Sequence, residues 1–270
     1  MRELITIVSL ILFFQSCNGN ETPEKERLKV KKYSKIELLV NNEDVNSLGY
    51  KIWEEDEDVG VKSVCIDSGF IYLTDVYHNN IKKININDKS MVSSPSLSGL
   101  SLDESSLWLR DLVVFYEKIY VTSDRDRIYI LGKDLKYQKA IKSNKGRKTI
   151  FKVNSDSLLI YLDDKQLANK NIKYDLLFIR KTGQSSMISK TISLDEYQEK
   201  KTLKERAGKE YRLYSVQSKN FIETQYGIIE LKEEIKPIED YGAYNIDFTD
   251  NFLVYFESTP TRLILHIYEY

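Results

Sequence analysis

Two residues in one polar turn are the first candidates for binding a ligand. Asp75 ends an apolar run, and His78 follows it in the turn. A carboxylate at the end of a strand can reach a ligand, and His78 is predicted to be exposed. Alternatively, Asp75 accepts hydrogen bonds from backbone N–H groups of its own turn, as Asp often does. Because Asp75 belongs to a repeated pattern, the structural alternative is favoured.

A second candidate is the charged segment 124–127, which reads Asp-Arg-Asp-Arg. Asp124 and Asp126 have the spacing of a D-x-D pair, which can hold a hard cation such as Ca²⁺. A Ca²⁺ site needs about six to eight oxygen ligands, and the adjacent arginines compete for both carboxylates. The segment is therefore interpreted as a charged hairpin turn. No metal site or cofactor is expected, and Ca²⁺ is the one alternative.

The catalytic motifs that a sequence can reveal are absent. The chain has no G-x-S-x-G, H-E-x-x-H, C-x-x-C, Walker or dinucleotide-binding motif, and it contains only two His. Its 40 Lys and Arg balance 41 Asp and Glu, which argues against a generally basic nucleic-acid-binding protein. Hydrophobic residues make up 41% of the chain, enough for a substantial core. The sequence thus favours a binding protein over an enzyme, although the absence of these motifs does not exclude an enzyme.

The N-terminus is predicted to be a signal peptide. An apolar run of 11 residues, Leu4–Phe14, follows the positive charge of Arg2. A membrane-spanning helix needs about 20 residues, so the run is too short to span and fits a signal-peptide core. The alternative is a short buried hydrophobic helix.

The run ends in Phe14-Gln15-Ser16-Cys17, which resembles the lipobox of bacterial lipoproteins. Ser16 and Cys17 match that pattern, while Phe14 and Gln15 depart from it. The resemblance implies that residues 1–16 are removed and that Cys17 is acylated. The protein is then expected in the bacterial cell envelope, anchored to a membrane by its N-terminal lipid, most simply the outer membrane on its periplasmic or surface face.

The mature chain divides into two predicted parts. The polar residues 17–33 are interpreted as a flexible tether, and residues 34–270 as the folded domain. With Cys17 acylated, Cys65 has no partner for an intrachain disulfide. Its neighbours Val64 and Ile66 are apolar, so a buried thiol is expected.

The domain is predicted to consist of repeated hairpins. The strand at 70–75 and its partner at 81–85 recur at 118–123 and 127–131, so that Ile71 corresponds to Ile119. Fainter copies pair 158–162 with 176–179, 211–214 with 227–231, and 252–256 with 263–268. Repeats of about 40–50 residues with several strands each are typical of β-propeller blades. The sequence therefore predicts an all-β propeller.

Six blades are favoured and five are possible. Residues 35–65 are the candidate for a sixth blade, with 35–40 as the strand that closes the ring. One segment, 193–207, breaks the strand pattern: Ser193 and Glu196 have the form of a capping box, and Gly208 is a plausible stop. It is predicted to be a short helical insertion, with a long loop as the alternative.

The repeated pattern, apolar-Tyr-Val/Leu-Thr-Asp followed by a polar turn and Ile-x-x-Ile, resembles the six-bladed propeller lipoproteins of the Bacteroidetes, in the TolB-like and NHL-like propeller set. The likeness covers about residues 60–140, and Ser123 departs from the pattern where Asp75 keeps it. The resemblance implies a lipid-anchored propeller, and the wide faces of such a fold, which present loops from every blade, favour a module that binds or scaffolds a protein or a glycan. The alternatives are a lactonase-like hydrolase or lyase with a central-channel site, and a structural subunit of an envelope complex.

Overall fold

Short runs of Ile, Val, Leu, Tyr and Phe suit a pleated, half-buried surface, and nearly all regular structure described for this chain is strand. The computed structural model describes residues 25–52, 59–100, 108–124, 127–142, 148–153, 156–168, 171–193, 205–206, 209–232 and 245–270. Within these residues, one 3₁₀ turn at Ser98–Leu100 accompanies twenty strands.

The strands follow one another along the chain, most of them with short connections. In chain order they are β1 Lys32–Leu39, β2 Val61–Asp67, β3 Phe70–Asp75, β4 Asn80–Asn85, β5 Met91–Ser93, β6 Leu109–Phe115, β7 Lys118–Ser123, β8 Arg127–Gly132, β9 Tyr137–Lys142, β10 Lys148–Val153, β11 Ser157–Ala168, β12 Asn171–Arg180, β13 Ser185–Ser193, β14 Glu205–Arg206, β15 Lys209–Val216, β16 Lys219–Thr224, β17 Ile228–Leu231, β18 Ile246–Phe248, β19 Phe252–Ser258 and β20 Arg262–Glu269.

These strands form five antiparallel sheets of four strands in the described part of the chain. Sheet 1 is β2–β5, sheet 2 is β6–β9, sheet 3 is β10–β13 and sheet 4 is β14–β17, each with its strands in chain order. Sheet 5 has the order β1-β20-β19-β18, so its outer strand comes from the N-terminal part of the domain. Each sheet is therefore a small meander, and only sheet 5 joins distant parts of the chain.

Sheets 1 and 2 repeat each other in detail. The register of β2 on β3 shifts between Val61 and Val64, and that of β6 on β7 shifts at the corresponding place, between Leu109 and Leu112. A shift of this kind is a β-bulge, which bends a strand and re-aims its side chains. The first hairpin of sheet 1 turns through Ser68 and Gly69, both with positive φ, as a tight two-residue turn requires.

The sheets bury their faces against one another. One apolar cluster joins sheets 1, 2 and 3, a second joins sheets 5 and 1, and a third joins sheets 4 and 5. The inner strands of the five sheets lie next to one another: β18 contacts β2, β2 contacts β6, β6 contacts β10, and β10 contacts β14. Four-stranded meanders that pack in sequence around their inner strands define a β-propeller. The fold class predicted from the sequence is thus found, while a count of six blades stays a prediction.

The closing strand is confirmed. Residues 35–40 were predicted to close the ring, and β1 pairs with β20 in full register, from Lys32 opposite Glu269 to Leu39 opposite Arg262. The strand completes the C-terminal sheet rather than a separate blade of residues 35–65. A ring closed by strands from both ends of the chain leaves fewer free sheet edges.

The predicted tether of residues 17–33 needs correction over its described part. Leu28 N donates to Ile228 O at 2.8 Å, Ile228 N donates to Glu26 O at 3.0 Å, and Lys31 N donates to Glu269 O at 2.7 Å. Leu28 and Val30 also pack against the cluster between sheets 4 and 5. Residues 25–31 are therefore part of the domain, because alternate apolar side chains bury one side of this polar-looking segment; we call them the N-terminal clasp.

The helical insertion predicted at 193–207 is not helical at either of its described ends. Ser193 ends strand β13, and Glu205–Arg206 form strand β14. Backbone pairing with β12 and β15 overrides the local helix propensity at these ends. The middle of the prediction, residues 194–204, lies outside the described residues.

The fold has two different ends. We count the strands of each sheet from its inner strand, which is β2, β6, β10, β14 or β18. The connection between the first and second strands lies at one end of the fold, which we call the turn end, as does the connection between the third and fourth strands in sheets 1 to 4. The connection between the second and third strands lies at the other end, which we call the loop end. Lys133 marks the turn end, because its Nζ lies 2.9 Å from Asp67 of sheet 1 and 3.3 Å from Glu117 of sheet 2. Asp75 and His78 lie at the loop end, beneath residues 41–50.

Candidate functional site

Asp75 lies at the loop end of β3 and is fully buried. Its Oδ2 accepts hydrogen bonds from Gly49 N at 3.1 Å and from His78 Nδ1 at 2.9 Å. The Lys82 ammonium lies 3.4 Å from the same oxygen. Oδ1 accepts from His78 N at 3.2 Å. This last bond is the turn N–H bond expected from the sequence, and three further groups converge on the carboxylate.

Lys82 is fully buried beneath residues 41–50, which is rare for a lysine. Its Nζ donates to Val45 O at 2.5 Å and to Ser93 Oγ at 3.0 Å, beside its ion pair with Asp75. Burial lowers the pKa of Lys82, and the Asp75 charge opposes that shift. The two opposite charges compensate each other in the core, because an unpaired buried charge is strongly destabilising.

His78 links Asp75 to the covering loop. Its Nδ1 faces the carboxylate, and its Nε2 lies 3.3 Å from Asn42 O. With acceptors at both ring nitrogens, the imidazolium form is favoured, and the hydrogen bond to Asp75 raises the pKa of His78 above 6.5. Burial and the Lys82 charge act in the opposite direction. His78, predicted to be exposed, is largely buried, with 8% of its side chain accessible.

The loop 41–50 is held in place by its own hydrogen bonds and by close packing. Asn42 exchanges two hydrogen bonds of 2.8 Å with the backbone of Tyr50. Gly49 packs so closely on Tyr77 that an added Cβ would lie 2.3 Å from the ring. Asp75, His78 and Lys82, with this loop, form what we call the loop-end cluster, which joins the closing strand β1 to sheet 1.

Asp124 forms an ion pair with an arginine that is distant from it in the sequence. Arg110 of β6 donates from Nε to one carboxylate oxygen at 2.6 Å and from Nη2 to the other at 2.8 Å. This bidentate pair occupies the oxygens that a Ca²⁺ ion would need, so Asp124 does not fit such a site. Asp126 lies outside the described residues. Among the described residues, no three His, Cys, Asp or Glu side chains gather as metal ligands.

A further polar row was not found from the sequence. At the bulges of the first strands, Ser63 Oγ donates to Asp111 Oδ1 at 2.9 Å, and both residues are buried. Asp247 of β18 accepts from Ile66 N at 2.8 Å. These contacts tie sheet 1 to sheets 2 and 5. Ser63 and Asp111 stand at corresponding positions of the first two copies, so the repeat was the signal that pairs them.

Cys17, the predicted lipid attachment site, and the predicted signal peptide lie outside the described residues. Among those that are described, no helix has the length and apolar character to cross a bilayer. Cys65 is buried, as its apolar neighbours predicted.

No protein-family model matches the chain, and no curated protein matches it. Among solved structures, BamB from Moraxella catarrhalis is 9% identical, with coverage of 90% of this chain and 100% of that one at a TM-score of 0.33. A luciferin-regenerating enzyme is 10% identical, covering 77% and 92%, at 0.38. A thermostable family-43 glycoside hydrolase is 13% identical, covering 78% and 89%, at 0.39. With TM-scores this low none of them assigns a function, and the fold class follows from the sheet topology.

Proposed function

We propose that this protein is a lipid-anchored binding or scaffold module of the bacterial cell envelope, and that it uses the loop end to bind a protein. Cys17 is its lipid attachment site, and the propeller presents a rigid face. A glycan ligand and a hydrolase or lyase activity are the competing readings, and fold alone does not choose among them.

The observation that carries the proposal is an exposed apolar surface on and beside the loop 41–50. Leu39 is 72% exposed, Ile52 is 64% exposed and Val45 is 47% exposed. They lie just before, just after and within the loop. Exposed aliphatic side chains on a fixed loop and on the residues beside it suit the apolar surface of a protein partner. We call these three side chains the loop-end surface.

The buried charges favour the same proposal because they hold this surface in place. Val45 O accepts from Lys82, and Gly49 N donates to Asp75, so the loop is fixed at two points over the ion pair. A preorganised loop loses little entropy when a partner binds. The Asp75 carboxylate is also poorly placed to accept a proton from a substrate, since His78 and Lys82 occupy its oxygens.

The test is affinity purification of the full-length protein from gently solubilised envelopes, with matched variants at the two ends. The loop-end variant combines Leu39→Thr with Ile52→Ser. We expect it to reduce a stoichiometric partner at least about tenfold, since burying one Leu or Ile side chain contributes about 1.5–3 kcal/mol. Thr is β-branched and suits strand β1, so the fold is retained.

The control variant changes two side chains at the turn end, where Tyr137 is 38% exposed and Tyr226 is 40% exposed. Tyr137→Thr combined with Tyr226→Ser should leave the partner bound. Equal loss in both variants would contradict binding through the loop end. Recovery of the lipoprotein alone would contradict the scaffold proposal and lead to glycan arrays and hydrolase assays.

The anchoring control is Cys17→Ser. This variant cannot be acylated through a thiol, so its release from membranes is expected. A membrane-bound Cys17→Ser protein would contradict the lipid site, and it would leave the loop-end proposal to be judged by the paired variants alone.

A further inference from the structure

We infer that the turn end of the propeller lies against the lipid bilayer, so that the loop-end surface points away from it. The inference rests on the proposed lipid attachment at Cys17. It adds an orientation and a membrane-contacting surface, formed by the exposed basic side chains of residues 25–32 and by exposed tyrosines of turns at the same end of the fold.

The first step is where the chain enters the domain. Lys25 Nζ donates to Thr224 O at 3.0 Å, and Thr224 precedes the turn between β16 and β17, the third and fourth strands of sheet 4. That turn lies at the turn end: the ring of Tyr226 is 6.2 Å from that of Phe248, which precedes the first turn of sheet 5. The chain therefore enters at the turn end.

The second step is the path of the N-terminal clasp after Lys25. Leu28 bonds to Ile228 just past the same turn of sheet 4. Lys31 Nζ then lies 3.2 Å from Tyr270 O, beside the point where β1 begins its pairing with Glu269. The clasp thus passes from sheet 4 to sheet 5 along the turn end, and both of its ends are fixed there.

The third step is the reach of the chain before the clasp. Lys25 is eight residues from Cys17, and eight extended residues span at most about 28 Å. The six residues of β3 extend about 20 Å from one end of the sheet to the other. If the loop end faced the bilayer, the tether would have to run back along the whole sheet, which would take up most of its length. If the turn end faces the bilayer, the tether does not have to run along the sheet at all.

The fourth step is the charge of the entry segment. Residues 25–32 read Lys-Glu-Arg-Leu-Lys-Val-Lys-Lys, and all five basic side chains of this segment are exposed. A Lys or Arg close to an anionic membrane surface contributes about 1 kcal/mol of attraction. Leu28 and Val30 turn the other way and pack into the domain. Because basic and apolar residues alternate in this segment, its exposed side is basic, and this side lies where the tether leaves the domain towards the bilayer.

The fifth step is the exposed aromatic side chains at the same end of the fold. Tyr116, Tyr137 and Tyr226 are 48%, 38% and 40% exposed, and each lies at a turn of the turn end. Tyrosine has an apolar ring and a polar hydroxyl, which suits the interface between lipid headgroups and acyl chains. The loop end differs, since the exposed apolar side chains of the loop-end surface are aliphatic. The turn end therefore suits a membrane interface, whereas the loop-end surface suits a protein partner.

The experiment measures the distance of each end from lipid headgroups. The lipidated full-length protein is reconstituted in phosphatidylethanolamine–phosphatidylglycerol vesicles with a nitroxide on a fraction of the headgroups. A fluorescent thiol label is placed at Tyr137→Cys or Tyr226→Cys for the turn end, and at Leu39→Cys or Ile52→Cys for the loop end. Cys65 is buried, so protein without an introduced cysteine is the labelling control.

We expect nitroxide quenching to be at least about threefold stronger at the turn-end positions than at the loop-end positions. A matched chain with about 20 Gly and Ser residues inserted between Glu24 and Lys25 should reduce this contrast, because the longer tether no longer limits the approach. Equal quenching at both ends, or stronger quenching at the loop end, overturns the inference.

The basic surface has its own variant. Lys29→Gln combined with Lys32→Gln removes two exposed charges and leaves the buried side of the clasp unchanged. Turn-end quenching should fall at least about twofold on the anionic vesicles. Quenching that stays at the wild-type level would overturn the part of the inference that assigns the basic side chains to lipid headgroups.

A second anchor separates this inference from the lipid proposal. The labelled chains carry a hexahistidine tag in place of residues 1–17 and bind vesicles that contain a nickel-chelating lipid. If native Cys17 is not acylated, the lipid proposal fails while this assay still reports the orientation that the clasp imposes. Turn-end quenching in this assay supports the inference, and its absence contradicts it independently of acylation.

Discussion

Sheets 1 and 2 share a backbone and differ in chemistry at the same position. Asp75 and Ser123 end the second strands of the two sheets, and Lys82 and Tyr129 occupy equivalent places in the third. In sheet 1 this position holds a buried ion pair beneath the loop 41–50, whereas in sheet 2 Ser123 Oγ donates to Arg127 O. The repeated backbone determines the position and direction of a side chain, and the residue type at that position determines which groups it contacts.

A third version occurs in sheet 5. His266 is the counterpart of Lys82 there, and its Nε2 lies 3.8 Å from Glu257, the counterpart of Asp75. The His266 ring also stacks on Tyr255 at 4.3 Å between ring centres. A carboxylate and a basic group thus recur in sheets 1 and 5, the two sheets connected by the loop 41–50. Sheet 2 has Ser123 and Tyr129 at these positions, so the carboxylate and its basic neighbour are found in the two sheets between which the ring closes.

The strongest test of this contrast is to remove the carboxylate. Asp75→Ala should lower the free energy of unfolding by about 3–5 kcal/mol, because it leaves the Lys82 charge buried without compensation. Ser123→Ala, at the equivalent position of sheet 2, should cost about 1 kcal/mol for one neutral hydrogen bond. Urea unfolding of both variants measures the difference. Similar losses would show that the buried charge has no special role.

A double variant sharpens the same comparison. Asp75→Ala with Lys82→Met removes both charges and keeps an unbranched side chain at position 82. We expect its free energy of unfolding to exceed that of Asp75→Ala alone by at least about 1 kcal/mol, since removing a buried pair costs less than breaking it. Urea unfolding checks this value. A double variant less stable than the single one would argue against charge compensation.

The shared frame predicts equal effects at Thr74 and Thr122. Each hydroxyl accepts the N–H of a bulged residue, from Ser63 at 3.0 Å and from Asp111 at 3.1 Å. Thr74→Val and Thr122→Val should each lower the free energy of unfolding by about 1–3 kcal/mol, because a buried donor loses its acceptor. Thr→Ser at either site keeps the hydroxyl and is the control. A large effect at only one site would break the equivalence of the two sheets.

The loop-end cluster also predicts a pH dependence, because it contains His78, whereas the equivalent hairpin of sheet 2 has no histidine. The folded-state pKa of His78 is raised above its usual 6.5, chiefly by the hydrogen bond to Asp75. Protonated His78 therefore stabilises the fold fully below the unfolded-state pKa, and this contribution is lost as the pH rises through the folded-state pKa. The groups that face the ring are Asp75, Lys82, the Asn42 carbonyl and the Tyr77 ring, whose centre lies 5.0 Å away.

The measurement is the free energy of unfolding in urea from about pH 5.5 to about pH 8.5, a window that brackets the ordinary His pKa. Wild-type protein should lose stability with rising pH across this window, and His78→Gln should show a flatter profile. His266 is the only other histidine, so His266→Gln is the matched control. An unchanged slope in His78→Gln would mean that the imidazolium does not stabilise the loop.

The smallest effect is expected where sheets 1 and 2 meet at the turn end. Lys133→Met removes the bridge between Asp67 and Glu117. It should lower the free energy of unfolding by about 0–1 kcal/mol, because the charges are partly exposed. Urea unfolding at low and high salt measures it, and added salt should shrink the difference further. A loss as large as that of Asp75→Ala would contradict the distinction between buried and surface charges.

Local patterns predicted much of the fold but little of the candidate site. Asp75 and His78 were found because they share one turn. Lys82 was not found, because a lysine inside a strand reads as a surface residue until the covering loop is known. Arg110 was not assigned to Asp124, since it lies on another strand while Arg125 and Arg127 are much closer to Asp124 in the sequence.

Segments of ambiguous pattern were the least predictable. The clasp reads as polar chain, yet Leu28 and Val30 are spaced to bury one side of it. Ser193 fits a helix cap, yet it ends a strand, because pairing with β12 outweighs a local preference worth less than about 1 kcal/mol per residue.

The strands, the hairpins and the repeat of the first two sheets were determined by the sequence alone, because alternating apolar residues and turn-forming residues act over a few neighbours. Only the tertiary structure decided that the predicted closing strand β1 joins the sheet of β20 rather than a separate blade, that the loop 41–50 covers Asp75 and Lys82, and that the chain enters at the turn end. These features join residues far apart in the chain. Their free energies come from burial and charge compensation that exist only once the sheets have packed.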